Sequence, residues 1–470
     1  MLHENTINRK EFEEKLYSAV CQIGREFYAA ALESMDDELH RSRDRKAYRD
    51  KGKRKTVLKT LMGEVEYSRH VYSFADGDGR RGIVHLLDEA IGKAGSGFFS
   101  EALLERLGSA VCELPYRKAA ETISELTGQG ISHTAVWNVT QQLGERVDAI
   151  EKENAAKACQ NKGSGTIETK LLFEEQDGIY LHLQGEDRDK QGRSHEMKLA
   201  IAYDGAEKTG KDRYKLTNKA ACANFENIEK FYLRKEGVIA ANYNVDEINI
   251  RVLSGDGDSW IKRSIGPDTI YQLDTFHRNR AVVRAAPDED ARDDMLELLY
   301  GKDIEHLLLY IETLADSMEE KEREDNLREL YTYFSNNRDG LITYNRRGVK
   351  LPDPPEGKEH RRLGAMESNV FTIIGNRMKG RRKCWSINGG NNLARLLCLK
   401  TTGKLRGTIT ALSSHMPEKY AEEAIRVFSS AKTEKSVGKG YNGFDSVLIP
   451  TSQKWLKAIT GMKPLSEFLI

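Results

Sequence analysis

Ile248-Asn249-Ile250-Arg251-Val252-Leu253-Ser254-Gly255-Asp256-Gly257-Asp258 is the stretch on which the reading of this chain turns. Its apolar residues recur over the length of one strand, and the glycines that follow permit a sharp turn. Asp256 then projects from a strand end. Upstream, Leu171-Leu172-Phe173-Glu174-Glu175-Gln176-Asp177-Gly178-Ile179-Tyr180-Leu181-His182-Leu183-Gln184 is an apolar run interrupted by acids and resuming with strand alternation, so Asp177 interrupts a buried strand. Downstream, Met366, Val370, Ile373 and Ile374 recur at helical spacing, and a helix there aims Glu367 at the two aspartates.

Singly, each acid has an ordinary reading, because Asp-Gly is a common turn dipeptide. Glu174 and Glu175 also stand beside Asp177, and strand register decides which of the three faces the other acids. The ordered set is the stronger signal: an acid within a first strand, an acid ending a later strand, a further strand, and an acid on a final helix. Clustered carboxylates repel one another, so such a set is tolerated mainly where divalent metal neutralises it.

At 470 residues the chain exceeds one compact core and is expected to be multidomain. Lys plus Arg and Asp plus Glu both number 73, so any basic surface must come from local segregation rather than from net charge. Arg41, Arg43, Arg45, Lys46, Arg49, Lys51, Lys53, Arg54, Lys55 and Lys59 supply it, opposed within that run only by Asp44 and Asp50. Such a run is either a solvated segment or a set of phosphate contacts. The six cysteines form no Cys-x-x-Cys pair and no secretory leader is read, which fits a reduced cytoplasmic setting. No apolar run reaches the roughly 18 residues of a membrane helix, so no membrane partner is expected.

Along the chain, Phe12, Leu16, Val20, Ile23 and Phe27 mark one face of a helix running toward Met35, suited to packing or to dimerisation. Met62-Gly63-Glu64 separates two strand-like runs, a β-hairpin pattern. Between Leu103 and Val147, a helix over Tyr116 to Leu126, the turn Thr127-Gly128-Gln129-Gly130-Ile131 and a helix capped by Ser132 read as a helix-turn-helix. Its second helix is expected to expose His133, Asn138, Gln141 and Gln142 to DNA, although helix pairs joined by glycine turns also occur without binding anything. The chain from Asp256 to Glu367 is longer than one strand and a connector need. A helical, acidic insertion is expected there, with Ile304, Leu307, Leu308 and Ile311 as its apolar stripe.

The stretches Leu253 to Ile261, Gln272-Leu273-Asp274-Thr275-Phe276-His277, Glu367-Ser368-Asn369-Val370 and Asn376 to Ser386 together resemble the DDE transposases of bacterial insertion sequences. The chain is most similar to the Lre-two insertion-sequence branch, related to the Mutator-like group. The resemblance runs over nearly the whole chain. It implies an α/β fold with a ribonuclease H-like mixed sheet carrying a helical insertion, preceded by helical, hairpin and helix-turn-helix DNA-binding regions. It also implies that Asp177, Asp256 and Glu367 are the catalytic, metal-binding triad for two Mg²⁺ or Mn²⁺ ions, and that Asp274-x-x-His277 is a supporting signature. His277 either orients a carboxylate or contacts DNA, or the pair simply locks the helix after its strand. Arg377, Lys379, Arg381, Arg382 and Lys383 are expected to hold phosphates, and Trp385 either stacks on an exposed base or packs in the core. One departure concerns Arg381-Arg382-Lys383-Cys384, which stands where a glycine-containing turn is expected before Trp385.

The implied partners are double-stranded DNA, as terminal inverted repeats and target, and a second copy of the chain in a dimer or larger assembly at the bacterial nucleoid. The expected division is an N-terminal helix, basic segment and hairpin over 1–95 and a helix-turn-helix-like region over 96–160. A catalytic core over 165–286 follows, interrupted by a helical insertion over 287–362 and completed by a last helix over 363–400, with a C-terminal region over 401–470. Two other readings stay open: a DNA-binding regulator derived from a transposase that has lost its chemistry, and a nuclease that cuts without joining.

Overall fold

The computed structural model describes residues 8–75, 81–92, 98–380 and 382–411, which fall into two compact units. The first is drawn from 1–57 and 65–91, the second from 58–64 and 92–414.

In the first unit, α1 (Arg9–Ser42) starts at Asn8, whose side chain accepts the Glu11 N–H. A three-stranded meander follows, β1 (Tyr48–Thr60), β2 (Gly63–Ala75) and β3 (Arg81–Val84), and then the short α2 (Leu86–Ala90). The β1–β2 turn needs Gly63, whose φ is +106°. Val65 and Tyr67 of β2 are buried with Glu66 exposed between them, and from Arg69 to Tyr72 the strand is buried on both faces. Leu32 and Met35 in the second half of α1 are buried, and Glu33 and Asp36 there accept the Ser68 and His70 N–H groups of β2, whereas Phe12, Leu16, Val20 and Ile23 of its first half are exposed.

The second unit opens with α3 (Glu101–Glu113), α4 (Tyr116–Thr127) and α5 (His133–Cys159). Gly128, at φ +62°, ends α4, and Ser132 caps α5 by accepting from the Ala135 N–H. The chain then forms β4 (Leu171–His182), α6 (Gly185–Gln191), β5 (Ser194–Tyr203), a small β6–β7 hairpin (Ala206–Lys208 and Tyr214–Leu216) and β8 (Ala220–Asn224). Next come α7 (Ile228–Ala240), β9 (Ile250–Gly255), α8 (Ser259–Lys262) and β10 (Thr269–Leu273). From there the longer regular elements of the described chain are helices, with an irregular stretch over 337–365 between the fourth and the fifth: α9 (Thr275–Ala285), α10 (Glu289–Gly301), α11 (Ile304–Asp316), α12 (Lys321–Asn336), α13 (Met366–Asn369), α14 (Asn376–Met378), α15 (Ile387–Thr401) and α16 (Leu405–Ala411). A π-type segment, Val370–Gly375, joins α13 to α14.

Five strands make a mixed sheet in the order β10-β9-β4-β5-β8. β4, β9 and β10 run parallel, and β5 is antiparallel to both β4 and β8. The mixed α/β class expected from the sequence is what the chain adopts. Two large apolar clusters among the described residues hold helices against the sheet. One joins Leu171, Phe173, Ile179 and Leu181 of β4 to Leu393, Leu396 and Leu397 of α15. The other joins Leu253 and Leu273 to Trp260, Leu307, Ile311, Leu327 and Phe334, so the stripe on α11 is a core face. Most of the region 401–470, and Arg381 within the basic stretch, lie outside the described residues.

Candidate active site

Strand register sets the acids at one level. Glu175 of β4 pairs with Ser254 of β9, and Ser254 pairs with Gln272 of β10. Two residues further along each parallel strand stand Asp177, Asp256 and Asp274, so three acids share a row at the same edge of the sheet. The Asp274 N–H closes the row by donating to the Gly255 carbonyl at 2.7 Å. β9 stops here because Gly255 has no room for a side chain, a Cβ there meeting Ile261 at 2.7 Å, and because Gly257 adopts φ +99°.

Glu367 comes from α13, and with Met366 it lines the same small cavity as Asp177, Asp256, Asp274 and His277. Asp177, His277 and Glu367 can each place a ligand atom within 4.8 Å of the others. Asp256 is outside that tightest group but on the same wall. Its Oδ1 accepts from the Asp258 N–H at 3.0 Å, and Asp177 Oδ1 accepts from the Gly178 N–H at 2.7 Å. Each carboxylate thus keeps an oxygen for another partner.

Burial pushes the Asp177 carboxyl up to about 6, helped by the charges of Asp256 and Glu367 and opposed by the Gly178 N–H and His277. Burial raises Asp256 as well, against the Asp258 N–H. Among the described residues no lysine or arginine is ion-paired with these three carboxylates, and the nearest basic group is His277 Nε2, 4.0 Å from Asp177 Oδ2. Ser254, which lines the same cavity, has its Oγ buried without a hydrogen-bond partner. Three carboxylates and one imidazole with spare oxygens make a donor set that can hold a hard divalent cation.

The neighbouring acids have other duties. Glu175, on the same face of β4 as Asp177, is fully buried and accepts from Tyr203 Oη (2.6 Å) and from the backbone N–H groups of Gly364 (3.0 Å) and Met366 (3.2 Å). It thereby holds the start of the helix that carries Glu367. Glu174 faces the other way, onto Lys235 and Arg251. Asp274 caps α9, its Oδ1 accepting from the Phe276 and His277 N–H groups. The pair therefore divides its roles: Asp274 locks the helix and His277 faces Asp177.

Of the other residues singled out in the sequence, Arg377 and Gln141 are placed differently from expectation. Arg377 is buried, its Nε donating to the Val111 carbonyl and its guanidinium lying over the rings of Tyr116 and Trp385. Trp385 takes the core alternative, with Nε1 donating to the Met378 carbonyl at 2.9 Å. Gln141 is buried against Asn392 (2.8 Å), because α15 packs on that face of α5, while His133, Asn138 and Gln142 stay exposed. Lys379 and Arg382 are exposed, and the turn before Trp385 is made by Gly380 at φ +77° with Arg382 at φ +54°. Arg41, Arg45, Lys46, Lys53, Arg54 and Lys55 are exposed and Arg43 is half-buried. Lys53 pairs with Asp37 and Lys55 with Glu66, both at 2.6 Å.

Sequence reasoning missed a basic cavity of about 900 Å³ beside α13. Lys215, Lys219, Arg361, Arg362, Lys400 and Lys404 line it, together with Ala365, Ser368 and Asn369. Arg361-Arg362, five residues before Glu367, was the available signal, but the lysines come from separate parts of the chain.

Comparison with known proteins places these residues in a wider set. The model of a family described as "Uncharacterised protein family (UPF0236)" matches residues 2–413. A UPF0236 protein of Caldanaerobacter subterraneus subsp. tengcongensis, named under four joined designations, is 24% identical over 442 residues, which cover 91% of this chain and 87% of the relative. Another from that organism, under two joined designations, is 24% identical over 442 residues, with 91% and 83% covered. A Streptococcus gallolyticus relative, "UPF0236 protein in vanSb 3'region", is 21% identical over 401 residues, with 84% and 83% covered.

Proposed function

The chain belongs to the UPF0236 family, and we propose that it is a DDE transposase: an enzyme that binds the terminal inverted repeats of its element, cleaves DNA strands and joins them to target DNA. The observation that carries this reading is the uncompensated row of Asp177 and Asp256 at matched positions of parallel strands, with Glu367 delivered by a later helix. The order of the sheet, with the first acid on its central strand and the second on the parallel neighbour, supports a ribonuclease H-like core.

Asp177, Asp256 and Glu367 would hold two Mg²⁺ or Mn²⁺ ions, which when bound activate the attacking oxygen and stabilise the leaving oxygen of a phosphodiester displacement. His277 supports Asp177 from α9, and Glu175 fixes the approach of Glu367. The basic cavity beside α13 offers cations to backbone phosphates near the acids. His133, Asn138 and Gln142 on α5 and the exposed cations of β1 are the surfaces we assign to duplex DNA, α4 and α5 acting as a helix-turn-helix. The joined designations of the Caldanaerobacter relatives read as repeated copies of one coding sequence, as a duplicating element leaves behind. The acting form is a dimer or larger assembly at the bacterial nucleoid, because two element ends must meet.

The test is a cleavage and joining assay on DNA carrying the element's own ends, with and without Mg²⁺. Asp177→Asn, Asp256→Asn and Glu367→Gln are each expected to lose cleavage by on the order of a thousandfold while retaining DNA binding. Cleavage that persists in all three refutes the site. Cutting without joining selects the nuclease reading, and binding without cutting by the intact chain selects the regulator.

A further inference from the structure

In the first unit, away from the carboxylate site, a second side-chain cluster has the makings of a metal centre. His40 stands in the last turn of α1, Asp50 early in β1 and His70 in β2, and each can offer a ligand atom within 4.8 Å of the others. The two imidazoles stack with centroids 3.9 Å apart and planes 16° from parallel, so their in-plane lone pairs run side by side and a shared ion requires the half-buried His40 ring to turn toward His70, which Asp36 holds in place. Their Nδ1 atoms are already engaged. His70 Nδ1 lies 2.6 Å from Oδ2 of Asp36, a fully buried carboxylate that also accepts the His70 backbone N–H at 3.0 Å. His40 Nδ1 lies 3.2 Å from Tyr72 Oη. A carboxylate can only accept from the His70 ring, so the His70 Nδ1 proton goes to Asp36 and a neutral His70 has its lone pair on Nε2, whereas Tyr72 Oη can accept from or donate to His40 Nδ1 and leaves either His40 nitrogen open to a metal. A carboxylate on the far nitrogen is also the partner that orients metal-ligating histidines.

Asp50 is exposed, and its Oδ1 accepts the Gly52 N–H at 2.9 Å, leaving Oδ2 for a ligand. Arg43, the nearest guanidinium, donates to the carbonyls of His40 and Tyr48 instead of capping this carboxylate. An overlapping group, Asp36, Asp37 and His70, is less apt, because Asp36 is committed to His70 and Asp37 to Lys53.

We propose that His40, His70 and Asp50 form a binding site for a divalent ion of the zinc class, with water in the fourth position. Two imidazole nitrogens and one carboxylate oxygen suit zinc better than magnesium, and three protein ligands leave the open place that the exposed Asp50 side provides. The ion ties the end of α1 to the β1–β2 hairpin. It does so within the stretch that displays the basic residues Arg41 to Lys55, so it sets how those cations are presented.

The full-length protein and its Asp177→Asn variant, which disables the cluster of Asp177, His277 and Glu367, are stripped with a chelator and titrated with Zn²⁺ in excess Mg²⁺, which competes poorly for paired imidazoles. In the Asp177→Asn background one equivalent of zinc is expected, and it is lost when His40→Ala is added. Asp36→Asn is expected to weaken zinc about 10–100-fold. Because Asp36 and His70 are buried, Asp50→Asn at an exposed position provides the variant whose circular dichroism stays unchanged, and it should weaken zinc by on the order of tenfold or more. A wild-type chain that takes up no zinc overturns the proposal, as does zinc that survives both His40→Ala and Asp50→Asn in the Asp177→Asn background.

Discussion

The two faces of β4 both carry acids and treat them in opposite ways. On one face Glu174 meets Lys235 at 2.6 Å and Arg251 at 3.1 Å, and the same two cations hold Glu236 at 2.7 and 2.9 Å, so two acids balance two bases. On the other face Asp177 sits with Asp256 and Glu367, and only His277 approaches it. A balanced buried network is closed: it satisfies itself and has no use for an added ion. An unbalanced one costs the fold free energy that an added cation would relieve, which is the physical ground for the metal-dependent chemistry proposed above.

The largest effect expected from this contrast lies on the balanced face. Lys235→Ala strands Glu174 and Glu236 with one cation between them and should cost roughly 3–5 kcal/mol in urea unfolding. A loss under about 1 kcal/mol would mean the network is solvated and the two faces are alike.

On the unbalanced face the sign reverses. Asp177 titrates at about 6 in the folded chain against an ordinary value of 3.8. Its contribution to stability is therefore fully present below about 4 and lost as pH rises through about 6. In metal-free protein the melting temperature should fall between about pH 4 and pH 6 more steeply in wild type than in Asp177→Asn. At pH 7 the variant should be more stable by about 1–3 kcal/mol. Added Mg²⁺ should reverse that ranking, and a variant less stable than wild type without metal would break the comparison.

The smallest effect belongs to Asp274, which shares the row of acids yet spends its carboxylate on the start of α9. Asp274→Ala should lower stability by about 1 kcal/mol, as loss of a helix cap does, whether or not divalent metal is present. A metal-dependent loss in thermal melts would move Asp274 from capping into the ligand set.

How much of this was legible varies residue by residue. The strand ending at Asp256 could be read because apolar recurrence and two glycines act within a few positions, and the strand observed is Ile250–Gly255. The cap at Ser132 and the hairpin turn at Gly63 were legible for the same reason. The run around Asp177 showed three acids without saying which faces the site, since that depends on pairing with β9. Gln141 looked like an exposed polar residue of α5, and only Asn392, far along the chain, shows it to be buried. Arg377 reads as a DNA contact from its company of cations and Trp385 as either a base-stacking or a core residue, but helix packing encloses both. The facing of His40 and His70 was not visible at all, because their meeting depends on how α1 lies against β2.

The sequence by itself determined the elements, the turns and the supply of acids, because these follow from side-chain size, glycine freedom and periodicity over short distances. Tertiary structure decided which acids lose their water, which find a cation and which are left to share a cavity without one. Burial and charge compensation are sums over neighbours brought together from distant parts of the chain, and no local pattern contains them.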